Sequence, residues 1–234
     1  IRKELKALLS EQFTEQGVHK EHSPDYHLFM IRALDRVGAL HPYMGEIDME
    51  AIEAVSPWLA FPDGTLGRFG DSEKTGPPLA NDPESTCLPD GQCYAVGDFS
   101  RSGYAIIRDL PSTEQDSMLF MTGMSYSPVH RHADALSFEL FEAGRFIFVD
   151  GGKYGYVNTP ERQYFLTSDA HNTVSLADEQ FSSDRYAGSG SFLNPVTQYD
   201  HGFLLSGKVE IVQKFVHERR LTYQPGRSLE IHDR

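Results

Sequence analysis

The residues best suited to chemistry begin at His130. His130 and His132 are separated by one residue, and over 136–140 apolar and polar side chains alternate. Such alternation predicts a half-buried strand. If the strand extends back to His130, both imidazoles project from one face, because successive side chains of a strand point to opposite sides. The spacing therefore predicts that the two histidines share one site.

A second apolar run ends in a carboxylate and two glycines. It covers 146–149 and follows a turn signal at 142–145, so the two runs together predict a β-hairpin. The return strand would bring Asp150 to within a few residues of the level of the histidines, and His171 opens a further alternating run. Imidazole and carboxylate groups are common ligands of divalent metals. Two histidines and Asp150 could therefore hold a metal ion.

Composition favours a globular protein and argues against some partners. The chain has 234 residues, 39% hydrophobic content and a formal net charge of -13. A nucleic-acid partner is not expected, because such binding depends on clustered Lys and Arg that neutralise phosphates. A membrane partner is not expected either, because the apolar runs are far shorter than the roughly 20 residues of a membrane-spanning helix, and no signal-peptide pattern opens the sequence. A few local cations could still bind an acidic sugar.

Two cysteines lie close together in the sequence. Cys87 and Cys93 flank a Pro-Asp-Gly turn, which could fold the two thiols toward each other. A disulfide here would imply an oxidising compartment. Two separate thiols are the alternative, and one pair of cysteines does not decide between them.

The expected secondary structure of the elements that position these residues changes from helical to β early in the chain. Apolar residues repeat at helical spacing over 1–9, Ser23 is a good N-cap for a helix that begins at Pro24, and a third helix is expected over 49–59. From 62 to 91 the chain is rich in Gly, Pro, Asp and Ser, which is typical of a connecting segment. We therefore expect a helical part, a linker and a β part, at 1–65, 66–95 and 96–234 respectively.

Short alternating runs recur in the β part, with turn signals between them. They lie at 104–108, 118–122, 137–141, 145–149, 173–176, 203–206, 209–212 and 229–232. Strands of this length and spacing predict an antiparallel β-sandwich.

Five motifs along most of the chain, in this order, resemble those of the heparinase II/III-like polysaccharide lyases, which include alginate lyases. The motifs are EHSPDYH at 21–27, HRHADALSFEL at 130–140, FVDGG at 148–152, RQYF at 162–165 and AHNTV at 170–174. The resemblance implies an α+β multidomain fold, in which an (α/α) toroid of helical hairpins precedes an antiparallel β-sandwich. It places the active site in the cleft between the two.

The chemistry that the resemblance implies is β-elimination on a uronate-containing polysaccharide. A base removes the proton at C5, an acid protonates the leaving oxygen at C4, and the product carries an unsaturated sugar. Tyr26 matches the catalytic tyrosine of the family and His130 the catalytic histidine, which acts as base or shares that role with Tyr26. Tyr156 is our choice for a further tyrosine that lines the cleft.

Tyr26 also has a physical argument of its own. It stands at the third position of the capped helix, where the positive end of the helix dipole favours a phenolate or a shared proton. The alternative is an ordinary packing residue with a hydrated hydroxyl group.

His132, Asp150 and His171 match the zinc-binding set of the family, where the metal has a structural or site-organising role. Two histidines and one carboxylate with an open position are also a hydrolytic zinc set. A zinc-dependent glycan hydrolase therefore stays as an alternative to the lyase, and a non-catalytic carbohydrate-binding sandwich is a second one.

Three further residues are candidates for substrate binding. Arg131 and Arg162 could each grip a uronate carboxylate with two hydrogen bonds, although exposed arginines often have no such role. His22, like His27, flanks Tyr26 and could line the cleft, but its place near the N-cap accounts for it equally well. The expected location is periplasmic or secreted, in a bacterium.

The resemblance also implies that the chain is a fragment. A complete toroid needs more helices than 1–65 can supply, and the Asn or His that neutralises the uronate carboxylate comes from an earlier helix. The alternation over 227–234 is that of a strand in progress, so we expect the sandwich to be cut short as well. The fragment alone is then expected to have doubtful activity.

Overall fold

The described residues form three layers, which are a helical layer, a six-stranded sheet and a five-stranded sheet. The computed structural model describes residues 7, 9–36, 49–73, 85–110, 116–123, 126–127, 129–176, 183, 192–211 and 215–234. Most of the apolar repeat predicted over 1–9 lies outside these residues, and 9–12 are helical.

The helical layer contains two α-helices that the sequence predicts. Helix α1 spans Pro24–Arg36, so the N-cap prediction is confirmed. Helix α2 spans Met49–Val55 and continues as a 3-10 helix at Ser56–Leu59. The predicted helix at 49–59 changes type there because Pro57 has no N–H group for the α-helical hydrogen bond.

The six-stranded sheet is an antiparallel meander in which each strand pairs with its neighbours in sequence. Its strands are β1 Ser85–Cys87, β2 Cys93–Phe99, β3 Tyr104–Asp109, β4 Met118–Thr122, β5 Phe138–Glu142 and β6 Arg145–Phe148. The predicted strands at 104–108, 118–122 and 145–149 are confirmed to within one residue at each end.

The five-stranded sheet is also antiparallel, in the order β11-β10-β9-β7, with β8 paired to β9. Its strands are β7 Phe192–Leu193, β8 Thr197–Tyr199, β9 Gly202–Ile211, β10 Phe215–Gln224 and β11 Ser228–Asp233. The strands predicted at 203–206 and 209–212 join into β9, and Val212 lies outside the described residues. Gly207 permits this continuity, because a Cβ there would come within 2.6 Å of Leu193.

One predicted strand is absent, and a second is confirmed to within one residue but does not extend back to His130. Residues 173–175 form no strand; the Thr173 hydroxyl instead donates to the Ala135 carbonyl. The strand predicted at 137–141 begins at Phe138 and does not extend back to His130, because His130 and Leu136 have φ values of 57° and 62°. Positive φ is incompatible with an extended strand. The prediction that His130 and His132 share one strand face is therefore also wrong.

The central strands β3 and β4 of the six-stranded sheet are buried on both faces. All five residues of β4 and the first five of β3 are buried. One face packs on the five-stranded sheet in a sandwich core that includes Ile107, Leu119, Phe138, Phe203, Leu205 and Leu221. The other face packs on the helical layer in a second core that includes Leu28, Leu59, Phe61, Phe69, Ile106 and Phe120. Both sides of the sheet thus contribute to its stability.

The described residues of the segment expected to be a linker, 66–73 and 85–95, are part of the packed structure. The segment contains β1 and the start of β2, and Leu66 and Phe69 belong to the second core. Asp71 and Ser72, whose residue types are common in loops, are each only 1% exposed. This segment brings polar groups into the interior, where Asp71 contacts His132.

Cys87 and Cys93 form a disulfide, which decides between the two alternatives left by the sequence. They face each other in the register of β1 and β2, with Cα atoms 4.0 Å apart. Among the described residues, no helix has both the length and the apolar character needed to cross a lipid bilayer.

Candidate active site

Tyr26 and His130 meet where the helical layer approaches the loop before β5. Tyr26 is the third residue of α1, and its ring stacks on the His130 ring with centroids 3.6 Å apart and planes 18° apart. The Tyr26 hydroxyl lies 2.7 Å from the hydroxyl of Tyr156. The structure thus brings together the three residues that the sequence suggested for catalysis.

His130 is held through both its ring and its backbone. Its Nδ1 lies 2.7 Å from Oε2 of Glu21. Its carbonyl accepts a hydrogen bond of 3.0 Å from the amide of Asp71. Gly70 makes this approach possible, because a Cβ at Gly70 would lie 2.5 Å from the His130 oxygen. The segment 70–71 therefore fastens the loop that carries His130.

Tyr26 is a neutral phenol in this environment. Burial, and next its hydrogen bond with Tyr156, raise the pKa of Tyr26 to about 12. From the helix dipole we expected a phenolate or a shared proton at Tyr26. The raised pKa disfavours the phenolate, whereas the 2.7 Å contact with the Tyr156 hydroxyl is compatible with a shared proton. Tyr26 can therefore donate a proton at neutral pH.

Tyr156 is the exposed member of the group. Its side chain is 59% exposed, and it follows the Asp-Gly-Gly sequence that ends the β5–β6 hairpin region. Two cations lie over its ring, with Lys153 Nζ at 4.5 Å and Arg162 Cζ at 5.6 Å from the centroid. Lys153 also pairs with Glu73 at 2.8 Å. Two cations thus lie beside the Tyr156 ring, and each is paired with a carboxylate.

Arg162 has a different partner from the one that the sequence suggested. It lies on helix α3, Pro160–Phe165, which Thr159 caps. Its two terminal nitrogens donate to the two carboxylate oxygens of Asp71, at 2.6 and 3.1 Å. Arg162 therefore makes with Asp71 the bidentate contact that was expected with a uronate. Arg131 donates to the carbonyl of Ser183.

His22 and His27 are packing residues in this structure. His22 is 5% exposed, and its ring lies 5.1 Å from that of Tyr104, so it does not line an open cleft as the sequence suggested. Its Nε2 contacts the Ser102 carbonyl, and burial lowers the pKa of His22 to about 4. His27 is also buried, with its Nε2 3.1 Å from the carbonyl of Ile52.

A buried polar layer lies next to the tyrosine–histidine group. In this layer His132 Nε2 is 2.9 Å from Oδ1 of Asp71, and His171 Nδ1 is 2.7 Å from Oδ1 of Asp150. The rings of His132 and His171 are 5.3 Å apart. The structure therefore places the three predicted zinc ligands side by side, although Asp150 and His171 contact each other.

Two observations support the metal prediction, which are the types of the ligand atoms and one buried nitrogen without a hydrogen-bond partner. Nδ1 of His132 is buried and has no hydrogen-bond partner. Over the described ranges, no group of three or more His, Cys, Asp or Glu side chains is arranged to hold a metal ion. The residues thus fit zinc by donor chemistry, and a bound ion would require Asp150 and His171 to exchange their mutual hydrogen bond for the metal.

The charged groups of the polar layer shift one another's pKa values. Burial opposes the charged form of His171, but the nearby Asp150 carboxylate outweighs it and raises the pKa of His171 to about 9. Burial also opposes ionisation of Asp150, and His171 reverses this effect, so the pKa of Asp150 is lowered. Glu139, whose Oε1 accepts from the Asp150 amide, has its pKa raised to about 8 by burial and by the charge of Asp150.

Sequence reasoning missed three residues of the site. Glu21 stands within the first motif but was not singled out, Asp71 lies in the presumed linker, and Lys153 follows the two glycines after Asp150. Their partners His130 and His132 are distant in sequence, so no local periodicity reveals the pairs. One local sign could have pointed to Asp71, because this carboxylate directly follows Gly70 in the segment before the β part.

Residues 93–234 match a family model described as the C-terminal domain of heparinase II/III-like proteins. The chain belongs to the heparinase II/III-like family. The resemblance found in the sequence is thereby confirmed.

Individual relatives of this family agree with the assignment. A heparin-sulfate lyase of Bacteroides stercoris is 25% identical over 203 residues, which make up 72% of this chain and 30% of that protein. A crystal structure of heparinase III matches with a TM-score of 0.68 and 16% identity, covering 99% of this chain and 42% of that one. The heparan sulfate lyase HepC from Pedobacter heparinus matches with a TM-score of 0.70 and 17% identity, over 98% and 40%.

These matches establish the fold of the described part. The antiparallel β-sandwich is confirmed by them and by the two sheets. The (α/α) toroid is not confirmed, since the described residues contain few helices. The chain spans 30% of the length of its curated relative and about 40% of the solved structures.

Proposed function

We propose that the full-length protein is a polysaccharide lyase that cleaves a uronate-containing acidic polysaccharide by β-elimination. The observation that carries this proposal is the stacked pair of Tyr26 and His130, with Tyr156 hydrogen-bonded to Tyr26. The pair joins the helical layer to a loop of the sandwich, and Tyr156 is exposed to solvent. A carbohydrate-binding module has no need of such an arrangement of proton-transfer groups.

The proposed elimination divides two proton transfers between two groups. His130 acts as the base and takes the proton from C5 of the uronate. The electron pair of that C–H bond forms the C4=C5 double bond, and the bond from C4 to the glycosidic oxygen breaks. Tyr26, as a neutral phenol, gives its proton to the leaving oxygen. Tyr156, with its hydroxyl 2.7 Å away, offers a route by which Tyr26 regains a proton.

Local cations offset the negative charge of the substrate in this proposal. The net charge of the chain is -13, so an acidic polysaccharide depends on positive charge that is concentrated at the site. Lys153 and Arg162 provide it beside Tyr156. Because Arg162 already binds Asp71 with both terminal nitrogens, we propose that it stabilises the site electrostatically and that it does not grip the uronate.

We further propose that His132, Asp150 and His171 hold a structural zinc ion. The buried, unpartnered Nδ1 of His132 supports this set, as does the pair of Asp150 and His171 beside it. When bound, zinc would supply fixed positive charge among buried carboxylates and would link the loops that carry its ligands.

The product of the reaction tests the lyase proposal. The full-length protein is incubated with heparan sulfate, alginate, hyaluronan and a bacterial exopolysaccharide, and ultraviolet absorbance is followed. Only elimination creates a conjugated double bond, so absorbance that increases with one of these substrates supports the proposal. New reducing ends without this absorbance would indicate the hydrolase, and binding without cleavage would indicate the carbohydrate-binding module.

The disulfide supports a proposal on location. Cys87 and Cys93 are bridged, and such bridges persist mainly in oxidising compartments. We therefore propose that the protein acts in the periplasm or outside the cell of a bacterium.

A further inference from the structure

We infer that Glu21 is a positioning residue that fixes the proton of His130 on Nδ1 and so leaves Nε2 as the basic nitrogen. The consequence for catalysis rests on the lyase function proposed above. The consequence for the histidine itself does not, and it can be measured without substrate.

The side chains of Glu21 and His130 are in direct contact. Oε2 of Glu21 lies 2.7 Å from Nδ1 of His130, and the two side chains are only 19% and 22% exposed. An ionised carboxylate can only accept hydrogen bonds, so Nδ1 must carry the proton. In the neutral imidazole the lone pair then resides on Nε2. The contact therefore selects the tautomer that can act as a base through Nε2.

The orientation of the ring is fixed from a second side. Tyr26 stacks on the face of the His130 ring, and the Tyr156 ring lies against it edge-on at 6.4 Å. A rotation that brought Nε2 to Glu21 would have to break the hydrogen bond inside this aromatic contact. Glu21 and Tyr26 thus hold the same imidazole, one at its edge and one at its face.

The backbone limits the alternatives further. His130 has a φ of 57°, and its carbonyl is bound by the Asp71 amide, so the loop cannot easily shift to find another partner for Nδ1. Within the part of the chain that the structure describes, the Glu21 carboxylate has no other hydrogen bond. The hydrogen bond that it makes in the described structure is therefore the one with His130.

Kinetics of Glu21 variants test the role in catalysis. A carboxylate that orients a catalytic histidine is worth roughly 10²–10⁴-fold in kcat. We expect Glu21→Gln in the full-length protein to lower kcat by about that factor and to change KM less than about threefold, with Glu21→Asp intermediate. The matched control is Glu53→Gln, an exposed residue of α2, which should retain the wild-type kcat.

A spectroscopic measurement tests the tautomer itself. With ¹⁵N-labelled histidine and a His130→Ala variant to assign the signal, wild-type His130 should give the Nδ1–H tautomer at a pH where the imidazole is neutral, and Glu21→Gln should give a mixture or Nε2–H. An Nε2–H signal in the wild type would overturn the inference. So would an active enzyme in which Glu21→Gln keeps kcat within twofold. If the wild type yields no unsaturated product, the lyase proposal fails, while the tautomer result still decides the role of Glu21.

Discussion

The chemistry of single residues in this site is set by their surroundings more than by their position in an element. Tyr26 stands at a helix N-terminus, yet burial and the Tyr156 hydroxyl raise its pKa to about 12. Arg162 looks like an exposed cation in the sequence, yet Asp71 occupies its guanidinium group. The sequence could identify Tyr26 through its motif, but its protonation depends on Tyr156, which is 130 residues away.

Replacing the Tyr26 hydroxyl tests its role as the acid. Tyr26→Phe in the full-length protein should lower kcat by roughly 10²–10⁴-fold and leave KM nearly unchanged, because the proton transfer exists only in the transition state. Steady-state kinetics on the preferred polysaccharide provide the measurement. Tyr154→Phe is the matched control, since Tyr154 stacks on Phe165 away from this pair. Unsaturated product formed by Tyr26→Phe at the wild-type rate would remove Tyr26 from the mechanism.

At the scale of elements, turns position the site and strands support it. His130, His132 and Asp150 all lie outside strands, in the segments before β5 and after β6. Alternation predicted β5 correctly because Phe138 and Leu140 enter the sandwich core. It failed over 130–137 because positive φ values at His130 and Leu136 depend on tertiary contacts, which local patterns do not contain.

Removal of zinc should destabilise these turns. If His132, Asp150 and His171 bind zinc, chelation should lower the Tm, because the metal binds the folded state and not the unfolded one. Differential scanning calorimetry, together with metal analysis of the purified protein, gives the measurement.

The ligand variants separate a site-specific effect from a general one. His132→Ala should remove zinc and reduce the yield of folded protein, whereas His232→Ala, whose side chain is 71% exposed, should do neither. Purified wild type that contains no zinc after growth with added metal, or a Tm that is unchanged by verified removal, would contradict the structural role.

Asp109, at the end of β3, should make stability depend on pH. Burial raises the pKa of Asp109 to about 6, and the Ser117 hydroxyl donates to its carboxylate at 2.7 Å. Since this pKa exceeds the unfolded value of 3.8, the folded state binds the proton more tightly, and the ionised carboxyl reduces stability above about pH 6. The reduction disappears as the pH falls below the unfolded pKa.

Asp109→Asn removes this ionisation. The variant should gain free energy of unfolding relative to wild type at pH 8, and the gain should be much smaller near pH 4, close to the unfolded pKa, as measured by urea denaturation at both values. Asp200→Asn, at an exposed turn, is the control and should show no such dependence. A difference between Asp109→Asn and wild type that is equal at the two pH values would contradict the prediction.

At the scale of the whole molecule, the six-stranded sheet belongs to two cores at once. Sequence alternation could predict a sandwich with one buried face per sheet, but β3 and β4 are buried on both faces. Their near-continuous apolar sequences are the only local sign of this, and they do not reveal which layer covers the second face. The helical layer and the sandwich are therefore one packed unit in the described residues.

This packing should make unfolding cooperative. Trp58, the single tryptophan, lies in the helical layer against Gly97 of β2, where a Cβ would come within 2.7 Å of its ring. Its fluorescence reports the helical layer, and far-ultraviolet circular dichroism reports mainly the sheets. The two signals should give the same midpoint in urea, as expected for a two-state transition. Two separated midpoints would show that the layers unfold independently.

The doubly covered sheet also has a consequence for biosynthesis. Translation delivers α1 and α2 before β3 and β4, so the surface that covers one side of the meander has already left the ribosome when those strands emerge. The five-stranded sheet comes last, with β9 beginning at Gly202. A nascent chain that has just released β6 therefore exposes one complete apolar side while the other is already protected. That interval is the stage at which a chaperone would be most needed, because exposed apolar strands promote aggregation.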